Sequence, residues 1–443
     1  MENVLTKETE QIAEMFETTR AATLALFDVV AREEDLHQSP GGGFRPIIWH
    51  LAHIGVFEAY WILQQVKGDA APDARYERIF DPIATPRENS VDLPTRREME
   101  DYLARVRRSM LDYLEASICD ETAPPLLRDR YIFHLVLEHE RQHQETLAYL
   151  LHMLDPAKKR QPAVPGEPVA ISLPAAAPAR DMVAVSAGEF QRGAPWKMFV
   201  YDNELPAHTL FVPTFKIDRL LTTNEEYAHF IAEGGYERRE WWSAEGWQWR
   251  ERENWTCPLY WSPGLEVGHK WRARTMFDEG EFKPQHPVAG VSWYEAQAYA
   301  RFMKKRLPTE AEWEKAASWE AHAQRKRLFA WGDMKPSPAH GNFNLRHWDT
   351  TAVGSFPAGA SAYGCLDMTG NVWEWTGDPF AGYENFTPYP YPEYSETWFD
   401  GDHRVLKGGS WATHPTLLRT SFRNFFRRHF RIAFSGIRCA ADA

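Results

Sequence analysis

Between Asp155 and Arg180 the chain carries Pro156, Pro162, Pro165, Pro168, Pro174 and Pro178 among Ala, Gly and Lys. Each proline fixes φ and removes a backbone donor, so neither a helix nor a paired strand runs through such a stretch. A chain of 443 residues is also too long for one typical core. The pattern predicts residues 1–155 as one domain, a Pro/Ala-rich linker over 156–180, and residues 181–443 as a second domain. The flanks read differently, helical before the linker and mixed after it, so the expected class is α+β.

Before the linker, Ile12, Met15, Phe16, Thr19 and Leu24 recur at helical period behind Thr6, a candidate cap. Pro46 suits the first turn of a second helix that runs to Trp61. A charged, Pro-bearing loop follows from Phe80 to Pro94, then a third helix over about Thr95 to Ser117. A fourth helix spans His134 to Leu151, where Leu137, Leu147, Leu150 and Leu151 make an apolar side. Four such helices with one long connection form a bundle. After the linker, short β-prone runs (182–185, 210–215) alternate with isolated helices (224–233, 292–305) and long Gly- and Pro-bearing loops. Loops of that length mark functional surface more often than core.

Net charge of −12 argues against a phosphate-binding surface, so no nucleic-acid partner is expected. Cys119, Cys257, Cys365 and Cys439 form no C-x-x-C pair, which suits a reducing compartment. The start is polar and acidic without an apolar core, and no apolar run is long enough to span a bilayer. A cytoplasmic protein without membrane contact is the expectation.

The fourth helix carries the chemistry. His139 and His143 are i, i+4 neighbours, so both imidazoles leave one face about one turn apart and can bind a single metal ion. His139-Glu140-x-x-His143 is also the zincin string, in which the glutamate is a general base. The location of a third ligand decides between these readings, with His134 on the same helix and His50 and His53 on the second helix as the histidines to weigh.

After the linker come Gly188-Glu-Phe190, Asn203-Glu204-Leu-Pro206-Ala-His208, Thr223-Asn224-Glu-Glu-Tyr227 and Val288-Ala-Gly-Val-Ser292-Trp293. Arg306-Leu-Pro308-Thr309-Glu310-Ala-Glu312-Trp313-Glu314, Gly370-Asn371-Val-Trp373-Glu374-Trp375, Gly408-Gly409-Ser410-Trp411 and Ser435-Gly436-Ile-Arg438 follow in order. The series resembles the formylglycine-generating-enzyme type of C-type-lectin-like domain. That type uses two cysteines shortly after Gly-Gly-Ser; here the matching positions are Thr413 and Leu418, so copper-thiolate chemistry is not available. The helical part resembles the DinB-like metal-binding four-helix bundle. In this order the two resemble the ergothioneine-biosynthesis sulfoxide synthases, with the ovothiol enzymes as cousins.

The resemblance implies metal ligands at His53, in Trp49-His-Leu-Ala-His53-Ile54, and at His139 and His143. It implies iron(II) as cofactor, dioxygen as co-substrate, and a reaction that joins a thiol to the imidazole of Nα-trimethylhistidine (hercynine) and oxidises the sulfur to a sulfoxide. Three imidazoles on an octahedral ion leave three positions open, whereas tetrahedral zinc keeps one. By the same resemblance Tyr391, in Tyr391-Pro-Glu-Tyr394-Ser395, is the acid or hydrogen donor, and Gln142, Tyr394 and Asn424 contact the betaine. A trimethylammonium group donates no hydrogen bond, so aromatic faces and amide oxygens are what hold it.

The thiol pocket departs from the family pattern. Relatives that use γ-glutamylcysteine carry Arg-x-x-Arg on the loop after the second helix; here Arg87 is followed by Ser90. Where they read Asn-Trp-Asp after Ser-Phe-Arg, this chain reads Asn424-Phe425-Phe426. One carboxylate clamp and one amine-binding carboxylate are missing, so cysteine is favoured as donor, held by Arg87. Other readings stay open at this stage: histidine as acceptor, another thiol or a selenium donor, a zinc hydrolase or thiol transferase, and a non-catalytic lectin-like binding protein.

Overall fold

Among the described residues, six α-helices form the first part of the chain: α1 (Glu2–Asp28), α2 (Glu33–Leu36), α3 (Trp49–Glu58), α4 (Ala74–Phe80), α5 (Arg96–Ala116) and α6 (Tyr131–Met153). The structure is a computed structural model and describes residues 2–41, 43–162, 179–264 and 271–443. The chain divides into two units, residues 1–165 and 166–443. Pro156–Lys158 form one 3-10 turn, and residues 163–178 of the expected linker lie outside the described residues.

In the first unit α1 packs on α6, and α3 packs on α5 and α6. Thr95 starts α5 through a reciprocal capping box with Glu98. α1 starts at Glu2, a turn ahead of the expected Thr6 cap, because nothing in that turn breaks a helix. Pro46 lies in the turn leading into α3, where the Trp49 amide donates to its carbonyl, so the helix itself begins three residues later than expected. Beyond Glu58 the same helix continues in wider π-helical turns over Ala59–Val66. α4, not foreseen from periodicity, is capped by Asp73, whose carboxylate accepts from the Arg75 and Tyr76 amides.

One side chain from each of the four long helices meets in the interior. Arg20 of α1 donates to Glu140 of α6 (2.8 Å) and Glu58 of α3 (3.0 Å), and Arg107 of α5 donates to the same two carboxylates (3.4 and 2.8 Å). Both carboxylates are fully buried, and charges balance two against two. The quartet fixes the rotation of α3 and α6 about their axes, and hence the directions of their histidines.

The second unit is built on short sheets. Strand 215–218 lies centrally in a three-stranded sheet, antiparallel to 182–185 and to 440–442, so the two ends of the unit share one sheet. A four-stranded sheet orders 424–427, 403–407, 373–379 and 435–436, with the last pair parallel. The expected run 210–215 is two strands, His208–Val212 and Phe215–Asp218, because Pro213 interrupts it. Three helices, α7 (Asn224–Ala232), α9 (Trp293–Phe302) and α10 (Glu310–Ser318), open with Thr/Ser-x-x-Glu capping boxes, and α8 (Ala244–Arg252) opens on Ser243. Trp313 and Arg438 both donate to the buried Glu374 carboxylate, so three of the sequence motifs meet at one point. Around it Val185, Phe215, Ile217, Trp319 and Met368 form the core.

Candidate functional site

Trp49, His53 and Phe57 stand one turn apart on α3 and face the histidine helix. Trp49 stacks on His53 (ring centroids 4.5 Å, planes 16° apart), and Phe57 stacks on His139 of α6 (3.6 Å, 8°). Two imidazoles are thereby held flat against aromatic neighbours, one from each helix. His143 follows His139 by one turn with its ring 4.8 Å from His53. One ligand nitrogen each from His53, His139 and His143 fall within 4.8 Å of one another.

The hydrogen bonds around these rings decide which nitrogens are free. His53 Nδ1 lies 2.8 Å from the carbonyl oxygen of Phe80, so Nδ1 carries the proton and Nε2 keeps its lone pair. His139 Nδ1 is buried with no hydrogen-bond partner. Burial pushes His53 down to about 4 and His139 and His143 well below the ordinary histidine value, aided for the latter two by neighbouring imidazoles. All three are therefore neutral at physiological pH, the form that binds a metal. A set of three neutral imidazoles with an orphaned buried nitrogen fits a divalent transition metal; carboxylates that would favour calcium or magnesium are absent from the group.

His50 does not join the group. Its Nδ1 meets His143 Nδ1 at 3.1 Å, and burial pushes it down to about 3. One of the two facing nitrogens donates. With Nδ1–H on His143, Nε2 of His143 is left for a metal and the proton of His50 sits on its buried, unpartnered Nε2. Sequence reading treated His50 only as a competitor for His53; its contact with His143 needs the fold.

Glu140 turns away from this face into the interior, bound by Arg20, Arg107 and Thr23. Burial alone would raise its carboxyl; the two guanidiniums outweigh burial and hold it below the usual range. A carboxylate engaged in this way is no general base, which removes the zincin arrangement.

Arg87 is exposed on the 81–90 loop, where it donates to the carbonyl of Gly43 (3.2 Å). Ser90, where the resemblance expects a second arginine, is buried, and its Oγ accepts from Arg45 Nη1 at 2.6 Å. Arg45 had no role in the sequence reading. Gln142 is half-buried, one residue before His143.

In the second unit Tyr391, Tyr394 and Phe425 cluster, with ring centroids 6.3 Å (Tyr391–Tyr394) and 6.4 Å (Tyr394–Phe425) apart. Tyr394 also stacks on Tyr201 (4.2 Å, 12°). Asp202 fixes this loop: its carboxylate accepts from Ser395 Oγ (2.5 Å) and the Tyr389 amide (3.2 Å). Desolvation, then Asp202 and Glu393, push the Tyr391 phenol well above its ordinary value, so it stays protonated. Phe425 stacks on Phe380 (3.9 Å, 9°). Strand alternation sends Asn424 and Phe426 to the opposite face, where Phe426 stacks on Phe430 (4.5 Å, 14°). The expected substrate residues of strand 424–427 are thus split between two faces, with Phe425 alone joining the tyrosines.

Thr413 and Leu418 both crowd Gly409: a methyl group there would lie 3.3 Å from Thr413 Cβ and 2.7 Å from Leu418 Cδ2. Leu418 belongs to an apolar cluster with Phe329, Trp331 and Phe343. Thr413 and Leu418, where the resemblance expects two cysteines, are close together and hold a hydroxyl and an alkyl group, neither of which binds a metal as a thiolate does.

Residues 170–443 match the Sulfatase-modifying factor enzyme 1-like domain, and residues 15–147 match the DinB superfamily. The chain is 37% identical to Hercynine oxygenase of Mycolicibacterium smegmatis, across 98% of this chain and 99% of that protein. It is 38% identical to Hercynine oxygenase of Mycobacterium tuberculosis at the same coverage, 98% and 99%. Formylglycine-generating enzyme of Thermomonospora curvata is 32% identical over 60% of this chain and 94% of that protein. No helix among the described residues is long and apolar enough to cross a membrane.

Proposed function

The chain belongs to the hercynine oxygenase family of oxidoreductases, and on that premise we propose that it is a non-haem iron(II) sulfoxide synthase acting on hercynine and a thiol. The observation that carries the reading is the His53–His139–His143 group, neutral, convergent, and with the His53 tautomer fixed by Phe80. Iron(II), when bound, supplies the redox centre for dioxygen reduction and lowers the pKa of a thiol.

Forming C–S from C–H and S–H releases two electrons and two protons, and oxidising the sulfur releases two electrons more. Dioxygen takes up all four: one oxygen atom ends in the sulfoxide and the other in water, so no external reductant is consumed. The residues of the chain bind, orient and supply protons. Tyr391, protonated at neutral pH, is the acid or hydrogen donor in this reading, and Tyr394 offers an aromatic face of the kind a trimethylammonium group prefers. Gln142 is the polar betaine contact in this reading; Asn424, on the strand face opposite Phe425 and the tyrosines, is left out of it. Arg87 holds the carboxylate of the sulfur donor.

Cysteine is the donor this reading favours over γ-glutamylcysteine. In support, Ser90 faces inward and is already bonded to Arg45, while Phe425 and Phe426 are packed on aromatic neighbours. No second cation and no carboxylate stands at those positions for the γ-glutamyl group. The test is a matrix of thiols (cysteine, γ-glutamylcysteine, other small thiols) against betaines (hercynine, histidine), run on anaerobically iron-loaded protein with oxygen uptake and product masses recorded. Uptake that requires both partners, with a sulfoxide product, is expected. No uptake with any pair sinks the enzyme reading, and preference for γ-glutamylcysteine sinks the donor assignment.

A further inference from the structure

Arg45 is 7% exposed, and no carboxylate among the described residues comes within salt-bridge distance of it. Its hydrogen bonds end on one segment of neutral oxygens. Nη1 donates to Ser90 Oγ (2.6 Å) and Pro86 O (3.4 Å), and Nη2 donates to Thr85 O (2.7 Å) and Pro82 O (3.2 Å). The planar fork thus gathers both limbs of the 81–90 loop, the loop that presents Arg87.

The same guanidinium lies over the Trp49 ring at 4.5 Å, and Trp49 stacks on His53. Trp49 Nε1 donates to Ile79 O (3.2 Å) and His53 Nδ1 to Phe80 O (2.8 Å), the two carbonyls just before the loop. Arg45, Trp49 and His53 therefore hold residues 79–90 at successive points, and loop and metal ligand share one support. A buried guanidinium with no carboxylate in direct contact is costly to retain; burial and then neighbouring Arg87 lower its basicity, against the opposing pull of Glu88 and Asp81. A loop needed only as a connection has no use for such a group; backbone turns or a neutral amide would close it.

We propose that Arg45 is a positioning residue for the sulfur donor: it fixes the 81–90 loop so that Arg87 meets the donor carboxylate. The inference rests on the reading of Arg87 as the donor contact. It also gives the inward-facing Ser90 a use. The hydroxyl at that position serves the clamp as the acceptor for Arg45 Nη1.

The test uses full-length, iron-loaded Arg45→Gln and Arg45→Lys. Lysine keeps the charge and loses the fork. KM for cysteine, KM for hercynine and kcat are measured with the other substrate saturating, and hydrogen exchange is followed at the Thr85, Asn89 and Ser90 amides, which bond within the loop. Expected are faster exchange at those amides and a cysteine KM raised on the order of ten-fold in both variants, equivalent to one lost hydrogen-bonded contact. Hercynine KM and iron stoichiometry stay within about two-fold, which a general loss of structure would not allow. Should neither Arg45 variant fold, Ser90→Ala removes one acceptor of the clamp and must raise the cysteine KM selectively. Unchanged exchange, an unchanged cysteine KM, or equal rises in both KM values overturns the proposal. Arg87→Ala run in parallel separates the two levels: a cysteine KM insensitive to Arg87 means the donor reading itself has failed, whereas a sensitive one beside inert Arg45 variants means only this inference has.

Discussion

Arg20 and Glu140 are 2.8 Å apart inside the helical unit, and through that contact the residue next to His139 is committed to the core. Glu58 and Arg107 complete the set, so each carboxylate sees two guanidiniums and neither has solvent. In such a set the helices cannot rotate without breaking a buried charge pair, which keeps the histidine face of α6 turned toward α3.

Glu140→Gln is expected to leave Arg20 and Arg107 under-compensated and to cost about 3–5 kcal/mol, the usual loss when one partner of a buried ion pair is removed. Thermal unfolding monitored by circular dichroism reads the loss. Iron bound per folded molecule at low temperature should not change. If stability is retained and catalysis alone disappears, Glu140 is acting chemically and the structural role assigned here is wrong.

The outline of this fold was legible because its strongest signals are local. Capping boxes such as Thr95–Glu98 start helices where the sequence says they do, and the i, i+4 pair His139–His143 fixes a ligand face before any tertiary contact is known. α4 was missed because seven residues carry too little periodicity to stand out, though Asp73 was there as a cap. Trp49, His53 and Phe57 at successive turns were a readable aromatic stripe; that Phe57 would lie on His139 was not, since that contact joins residues on different helices. The same holds for Arg45 and His50. Their partners, Ser90 and His143, are 45 and 93 positions away, and no local pattern pairs them. The split of Asn424, Phe425 and Phe426 between two faces follows from strand alternation and needed only the strand itself to be recognised.

Ligand and neighbour should separate on mutation. His53→Ala, His139→Ala and His143→Ala are each expected to abolish stoichiometric iron, measured by metal analysis after anaerobic loading and desalting. His50→Ala should retain iron at saturation but weaken it roughly ten-fold or more, as loss of a hydrogen-bonded partner to a ligand typically does. Equal loss in His50→Ala would make His50 a ligand. Stoichiometric iron in His139→Ala or His143→Ala would refute the assignment of that residue.

Acid should destabilise the metal-free helical unit in a defined window. His53 has its folded pKa held near 4 and His50 near 3, mainly by burial, whereas both titrate near 6.5 in an unfolded chain. Between these values the unfolded state binds more protons than the folded state, so stability falls as pH falls. It is at its full value above about 6.5 and is lost progressively toward pH 4, with His53 alone accounting for about 3 kcal/mol. Denaturant unfolding of iron-free protein across pH 4–8 should show this slope, and His50→Ala should reduce it. A stability flat over that window would mean the imidazoles are not held neutral by the fold.

The phenol of Tyr391 gives the most direct test of the chemical assignment. Its loop is held by Asp202 through Ser395 Oγ and the Tyr389 amide, so removal of one hydroxyl should not move the ring. Tyr391→Phe keeps the aromatic contact with Tyr394 and deletes only the hydroxyl proposed as the proton or hydrogen source. If that source directs oxidation toward C–S bond formation, its loss should divert flux from the sulfoxide toward oxidation of the thiol alone, with oxygen uptake continuing. Product masses from hercynine and cysteine measure the ratio. Tyr394→Phe is the matched control, because it removes the neighbouring hydroxyl, keeps the aromatic face and spares Tyr391; it should leave the product ratio unchanged. A product ratio unchanged in Tyr391→Phe removes Tyr391 from the reaction, and a shift in Tyr394→Phe instead transfers the role to Tyr394.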